Sequence, residues 1–198
     1  MTEIQARISE ILAAEAAAIL SVPVTGEFER AVLALRSSKG KILTTGMGKA
    51  GHIARKFAST LCSTGTPAVY VHPGEAAHGD LGLVSQDDSI VAFSTSGKTR
   101  EVLELLELGR HLGLKTVISI TSHPDSKLRL LSEIVIDMGV IQEPCPHGLT
   151  PSASIAVMLA ISDALALVLM ELKGFSRHDF GLRHHGGYLG HRARTHNE

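Results

Sequence analysis

The chain has 198 residues, of which 44% are hydrophobic and 20% charged, and its apolar content excludes a disordered protein. Its 19 basic and 20 acidic residues nearly balance, so we expect a small-molecule partner and no nucleic acid. Two cysteines and a start without the pattern of a secretory signal favour the cytoplasm, while eleven histidines favour acid/base chemistry or metal binding.

Two helices are predicted near the N-terminus, within about residues 2–37. Isoleucine and leucine recur at mostly helical spacing between residues 4 and 20, and Thr2 is a suitable N-cap. A second stripe, formed by Phe28, Val32 and Leu35, predicts a helix over about residues 27–37.

Five short apolar runs follow, each of strand length and mostly rich in β-branched residues. They are residues 41–44, 68–71, 89–93, 116–120 and 134–136. Helix-like segments at about 50–64, 100–112 and 126–131 separate most of these runs. Strands that alternate with helices and lack polar alternation indicate a parallel sheet covered on both faces. We therefore predict a doubly wound α/β fold.

The rest of the chain is predicted to contain one long helix and an irregular tail. Residues 152–172 are apolar on nearly all sides, but Ser154, Ser162 and Asp163 favour a buried helix over a membrane span, so no membrane partner is expected. The glycines at 186 and 187 suggest irregular structure in a tail of about residues 183–198. Because no linker divides the chain, we predict one domain over residues 1–198.

Ligands of such sheets bind beyond the carboxyl ends of the strands, and the first strand is followed there by GMGKAG at residues 46–51. This segment matches the dinucleotide fingerprint. That interpretation also needs an acidic residue at the end of the second strand, where the first acid, Glu75, comes too late. A glycine turn that presents Lys49 to an anionic ligand is favoured, since a cation at a helix start is otherwise unfavourable.

The third strand is followed by STSGKTRE at residues 94–101. Several hydroxyls, a glycine and the free amides of a helix start favour an anion, so we predict a phosphate site. It is not a Walker A loop, because Ala92 stands where that motif requires glycine. The simpler interpretation is ordinary N-capping by Ser96 or Thr99.

Two further loops carry candidate groups. HPGEAAHGD at residues 72–80 could be a zinc site, an acid/base cluster or a polar surface loop, and the spacing does not decide. Glu143 lies in a proline-containing loop soon after the last strand, which should place it on the same rim of the sheet. Cys145 in that loop is interpreted as a packed thiol.

Taken together, four segments closely resemble the sugar isomerase (SIS) domain of D-arabinose 5-phosphate isomerases. They are residues 46–52, 72–80, 94–101 and 184–187. The resemblance runs from about residue 8 to residue 194. It implies a flavodoxin-like three-layer α/β/α sandwich with a five-stranded parallel sheet, and a homotetramer with active sites at subunit interfaces. It also implies interconversion of D-ribulose 5-phosphate and D-arabinose 5-phosphate, which feeds synthesis of the lipopolysaccharide sugar Kdo.

The resemblance also implies roles for individual residues. Substrate phosphate would be bound by Ser94, Ser96 and Thr99, together with Gly48. The positions that match substrate binding and catalysis are Lys49, His78, Glu101, Glu143 and His184. No cofactor is expected and no metal is required, but zinc is expected to inhibit by binding imidazoles such as those of His78 and His184.

Two departures from the family's pattern stand out. The relatives usually carry His-Pro-Gly-Gly where this chain has His184-His185-Gly186-Gly187, and without the proline the backbone that aims His184 should be looser. Longer relatives continue into a pair of CBS domains, so we expect a short form that lacks them.

Aldose-ketose isomerisation needs a base, a group that handles hydroxyl protons, and positive charge near an enediolate. We expect Glu143 or Glu101 to be the base, with a pKa raised by enclosure, and rank Glu143 first because of its rigid loop. Lys49 would neutralise the oxyanion, and His184 and His78 would assist ring opening or proton transfer. The alternatives are a phosphoheptose or hexulose 6-phosphate isomerase, or a non-catalytic sugar-phosphate sensor.

Overall fold

The computed structural model describes residues 1–195, and the end of the expected tail, with His196, lies outside the described residues. Helix α1 (Glu3–Leu20) begins with a capping box, in which Thr2 Oγ1 accepts the amide of Gln5 and the Gln5 side chain accepts the amide of Thr2. Helix α2 (Gly26–Ser37) follows it. Both helices begin within a residue of the predicted positions, and the predicted Thr2 cap is confirmed.

A parallel five-stranded sheet forms the centre of the protein. Its strands are β1 (Ile42–Gly46), β2 (Ala68–Tyr70), β3 (Ser89–Phe93), β4 (Thr116–Thr121) and β5 (Ile134–Asp137). The strand order is β2-β1-β3-β4-β5, with every pair parallel. The chain leaves β1 toward one edge and returns to β3 on the other side, so the strand order reverses between β1 and β3. This switch point is where sheets of this type leave a crevice for a ligand.

Helices cover both faces of the sheet. The helices between and after the strands are α3 (Gly48–Ser63), α4 (Pro73–Ala76), α5 (Arg100–His111), α6 (Lys127–Leu130) and α7 (Ala153–Leu172), with a short 3₁₀ turn at Asp80–Leu83. One buried apolar cluster joins the sheet to α2, α3 and α7, and the other joins it to α5. Because one core lies on each face of the sheet, the fold has three layers, which confirms the predicted α/β/α sandwich.

Helix α7 satisfies, by length and composition, the requirements for crossing a membrane, with a mean hydropathy of 2.2. Half of it is buried inside the protein, where Val157, Ile161 and Leu165 belong to the core. The burial of this face agrees with the predicted buried helix.

The predicted irregular tail is wrong for most of its length. The chain continues after α7 as helix α8 (Arg177–Arg183) and helix α9 (Gly187–Thr195), which pack against each other. Helix α8 begins with a capping box between Ser176 and Asp179. Gly187 has a φ of +74° and begins α9, so the glycine pair turns the chain between two helices instead of ending regular structure.

Candidate active site

A cleft of about 270 Å³ opens at the switch point between β1 and β3. Three segments line it: the loop after β1, the loop after β3 and the beginning of α7. The lining residues are Met47, Lys49, Ala50, Phe93, Ser94, Thr95, Ser96, Thr99, Pro151 and Ile155. The structure therefore brings together two of the loops for which the sequence predicts a role in ligand binding.

The glycines after β1 allow helix α3 to approach the sheet closely. A Cβ at Gly51 would lie 2.5 Å from the carbonyl oxygen of Gly46 and 2.9 Å from the hydroxyl of Tyr70. That hydroxyl donates a hydrogen bond of 2.8 Å to Gly46 O, and the guanidinium of Arg55 lies 4.2 Å from the centre of the tyrosine ring. Tyr70 ends β2, where a dinucleotide site would need a carboxylate. These contacts support the glycine-turn interpretation of this segment.

Lys49 is an exposed cation in the first turn of α3. Gly48, before it, has a φ of +59°, and a Cβ there would meet no atom within 4 Å, so the backbone at this point faces open space. Within residues 1–195, no carboxylate lies within ion-pair distance of the Lys49 ammonium. The ammonium group is therefore available to an anionic ligand in the cleft.

The loop after β3 is a tight turn built from hydroxyl groups. Ser94 Oγ lies 2.9 Å from Thr99 Oγ1 and accepts the amide of Gly97 at 3.1 Å, and Ser96 Oγ accepts the amide of Lys98 at 3.2 Å. Thr99 is the N-cap of α5, but its side chain makes no capping hydrogen bond. Ordinary N-capping by Thr99 therefore does not account for these hydroxyls, which favours the phosphate-site interpretation.

The same loop is hydrogen-bonded to the segment after β4, a contact that no sequence pattern predicted. The carbonyl oxygen of Thr95 accepts hydrogen bonds from the amide of Ser122 at 3.0 Å and from Thr121 Oγ1 at 3.3 Å, and the ring Nδ1 of His123 lies 3.2 Å away. The carbonyl of Gly97 accepts the amide of Leu128 at 3.1 Å. No local pattern signals these bonds, because the donors come more than 25 residues later in the chain.

Gly97 is the point where this loop touches its support. It has a φ of +59°, and a Cβ at this position would lie 2.5 Å from the Cβ of Ser126 and closer still to its Oγ. Only a residue without a side chain fits this conformation and this space.

The expectation that enclosure raises the pKa of Glu143 is wrong. Burial does act to raise it, but hydrogen bonds from Ser154, Ser152 and Ala153 outweigh burial and hold the pKa of this carboxyl below its usual value. The amides of Ser152 and Ala153 donate to Oε2 at 2.8 and 2.9 Å, and that of Ser154 donates to Oε1 at 3.3 Å. Glu143 therefore lies at the start of α7, near the cleft as predicted, but as an ionised cap of that helix.

Like Glu143, the remaining three expected catalytic residues are not among the described residues that line the cleft. Glu101 is half-buried in the first turn of α5, directly after the hydroxyl loop. His78 is exposed just beyond α4. His184 follows α8, with its Nδ1 3.0 Å from the carbonyl of Phe180 and its ring stacked on the Phe180 ring at 3.8 Å. These contacts orient the imidazole of His184, and the looser backbone expected without the proline stays a prediction.

Among the described residues, neither a metal cluster nor the packed thiol predicted at Cys145 is found. The described part of the chain contains no group of three or more His, Cys, Asp or Glu side chains that could hold a metal ion. Inhibition by zinc at His78 and His184 stays a prediction. Cys145 is partly exposed rather than packed, and hydrogen bonds from Thr150 and Leu149 lower the pKa of its thiol to about 6.

Comparison with a family model and with curated proteins identifies related sequences. The family model described as the SIS domain matches residues 34–168. The arabinose 5-phosphate isomerase KdsD of Pseudomonas aeruginosa is 46% identical over 166 residues, which are 84% of this chain and 51% of that relative. The chain spans about half the length of the curated relatives that it matches.

Two solved structures are similar to this one over most of the chain. One, a phosphosugar isomerase from Bacteroides fragilis, is 43% identical with a TM-score of 0.91, covering 93% of this chain and 99% of its own. The structure of Escherichia coli CFT073 c3406 in complex with arabinose 5-phosphate is 40% identical with a TM-score of 0.87, covering 92% and 98%. The chain belongs to the SIS domain family, which confirms the resemblance found in the sequence.

Proposed function

We propose that this protein is an aldose-ketose isomerase that interconverts D-ribulose 5-phosphate and D-arabinose 5-phosphate through an enediolate. The observation that carries the proposal is that the hydroxyl loop after β3 and the Lys49 ammonium line one cleft. Isomerisation of a sugar phosphate needs a site that binds the phosphate and, a few atoms away, a positive charge that stabilises the developing oxyanion. The relatives named as arabinose 5-phosphate isomerases and the structural neighbour bound to that sugar phosphate support this substrate.

The phosphate is proposed to bind at the loop formed by Ser94, Ser96 and Thr99, with the backbone at Gly48 on the other side of the cleft. The start of α5 contributes amides that have no partner inside the helix, and its dipole favours a dianion. A remote phosphate held there orients the reacting carbons, so binding energy contributes to the rate as well as to affinity.

We assign the transfer of the carbon-bound proton to Glu101 in preference to Glu143. A carboxylate that already accepts three amides and has a lowered pKa is a poor base. Glu101 adjoins the phosphate loop and makes no side-chain hydrogen bond within the described residues. In this scheme Glu101 removes a proton from one carbon and returns it to the next, while Lys49 neutralises the enediolate oxygen. Glu143 instead anchors the start of α7, which forms one wall of the cleft.

His184 and His78 are proposed to handle hydroxyl protons and ring opening, with His184 supplied by a neighbouring subunit of a homotetramer. Two observations support assembly: neither histidine lines the cleft of its own chain within residues 1–195, and α1 exposes Ile4 and Leu12 at 74% and 63% of their surface. We also propose a cytoplasmic enzyme whose product serves Kdo synthesis, as the resemblance implies; its two free thiols suit a reducing compartment.

The deciding experiment incubates the purified protein, with a chelator present, with D-arabinose 5-phosphate and with D-ribulose 5-phosphate in heavy water. We expect each to be converted to the other with deuterium incorporated at the exchanged carbon. Glu101→Gln should abolish the exchange. Sedoheptulose 7-phosphate and hexulose 6-phosphate serve as competing substrates, and faster turnover of either would replace the proposed substrate. Binding without turnover of any of them would make the protein a sensor.

A further inference from the structure

We propose that Arg194 is a positioning residue for His184: its guanidinium fixes the backbone at the end of α8 and thereby aims the imidazole. This inference rests on the proposed function, which gives His184 a part in the chemistry. The contact between Arg194 and His184 is not visible in the local sequence, because Arg194 lies ten residues after the histidine and belongs to another helix.

The guanidinium of Arg194 bridges the carbonyls that end α8. One terminal nitrogen donates to the carbonyl oxygen of His184 at 3.0 Å and approaches that of Gly181 at 3.5 Å, and the other donates to that of His185 at 3.1 Å. The last carbonyls of a helix have no partner inside it and carry partial negative charge, so a rigid, always charged fork suits them.

Helix α9 is brought to this position by a glycine. Gly190 is buried, and a Cβ there would overlap the carbonyl oxygen of His184 and lie 2.8 Å from its carbon. The backbone of α9 thus lies directly against the backbone of His184. From this contact, one further turn along α9 carries Arg194 to the carbonyls.

The fixed backbone determines which ring nitrogen of His184 can act. Its Nδ1 lies 3.0 Å from the carbonyl of Phe180 and must carry a hydrogen to bond that oxygen. Its Nε2 makes no hydrogen bond in the part of the chain that the structure describes. The geometry leaves Nε2 as the nitrogen that exchanges protons with a ligand, and Arg194 supplies the constraint that a proline at 185 would otherwise give.

The test compares Arg194→Ala and Arg194→Lys with Arg192→Ala. Arg192 lies on the same helix, and its side chain makes no hydrogen bond or ion pair within residues 1–195. We expect Arg194→Ala to lower kcat on the order of 10- to 100-fold with a much smaller change in KM, as a misaimed catalytic group does. Millimolar guanidinium should restore part of the kcat of Arg194→Ala and none of that of His184→Ala. Arg192→Ala should keep wild-type kcat.

A wild-type kcat in Arg194→Ala, beside an inactive His184→Ala, would overturn the proposal. If Arg194→Ala does not fold, the kcat of Arg194→Lys tests the proposal in its place, because lysine keeps the positive charge but lacks the guanidinium that donates from two nitrogens. If the wild-type protein isomerises neither sugar, the proposed function fails, and ¹⁵N NMR of His184 then tests this inference separately. The Nδ1-protonated form should dominate in the wild type and be lost in Arg194→Lys, and an unchanged spectrum would refute it.

Discussion

Replacing Gly97 by alanine tests the architecture of the hydroxyl loop. An L-residue in the left-handed conformation at φ +59° costs about 1–2 kcal/mol. The overlap of the new Cβ with Ser126 adds a packing cost of about 1–3 kcal/mol, as overfilled cores do. We therefore expect Gly97→Ala to lower the free energy of unfolding by about 2–5 kcal/mol, which is a fall in Tm of roughly 4–20 °C for a chain of this size.

Equilibrium urea unfolding measures this loss, and a second substitution separates its two causes. Ser126→Gly removes the atoms that the new Cβ would strike, and the Ser126 hydroxyl makes no hydrogen bond within the described residues. The double variant Gly97→Ala/Ser126→Gly should therefore recover the packing part, about 1–3 kcal/mol, relative to the sum of the single variants. Wild-type stability in Gly97→Ala, or strict additivity in the double variant, would refute the reasoning.

Three further predictions concern single side chains. Ser96→Ala should raise the KM for the sugar phosphate roughly tenfold, the lower range for losing a hydrogen bond to a charged group, and unchanged steady-state kinetics would remove Ser96 from the site. Because the folded pKa of Glu143 lies below its usual 4.5, its ionised form stabilises the fold above that pH, and this contribution is lost as the pH falls through the folded pKa. Glu143→Gln should therefore be less stable than wild type at pH 7 by about 0.5–2 kcal/mol, with the difference shrinking below pH 4.5; a constant difference in urea titrations would exclude the cap. Finally, iodoacetamide should label Cys145 faster than Cys62 at pH 7, with a midpoint near pH 6, and equal rates by mass spectrometry would contradict the lowered pKa.

The layers of the fold were predictable because each strand is a short, locally distinct run. The run at residues 89–93 is a strand with the predicted bounds, and the others differ by one or two residues at their ends. Hydrophobic runs of this kind are determined by burial on both faces of the sheet, which is a local property of the sequence. The hydroxyl loop and Lys49 were predictable for a related reason, since the carboxyl ends of parallel strands meet at one edge.

The ionisation of Glu143 was not predictable from its own segment. The proline-containing loop correctly indicated a position near the rim, but the three amides that lower its pKa belong to residues 152–154, nine to eleven positions later. The prediction of an irregular tail was wrong for the same reason. Gly186 and Gly187 suggest irregular structure when considered alone, whereas α9 is held by the contact of Gly190 with His184 and by Arg194, which only the folded chain brings together.

The hydrogen bonds that the segment after β4 makes to the Thr95 carbonyl have a consequence for the thermodynamics of ligand binding. A loop that must become ordered around its ligand loses conformational entropy at that moment, which weakens affinity and slows association. Here the turn is already fixed by Thr121, Ser122 and His123, so its ordering cost falls on folding instead. Inorganic phosphate should accordingly bind with little loss of backbone entropy, and its association should show no slow conformational phase.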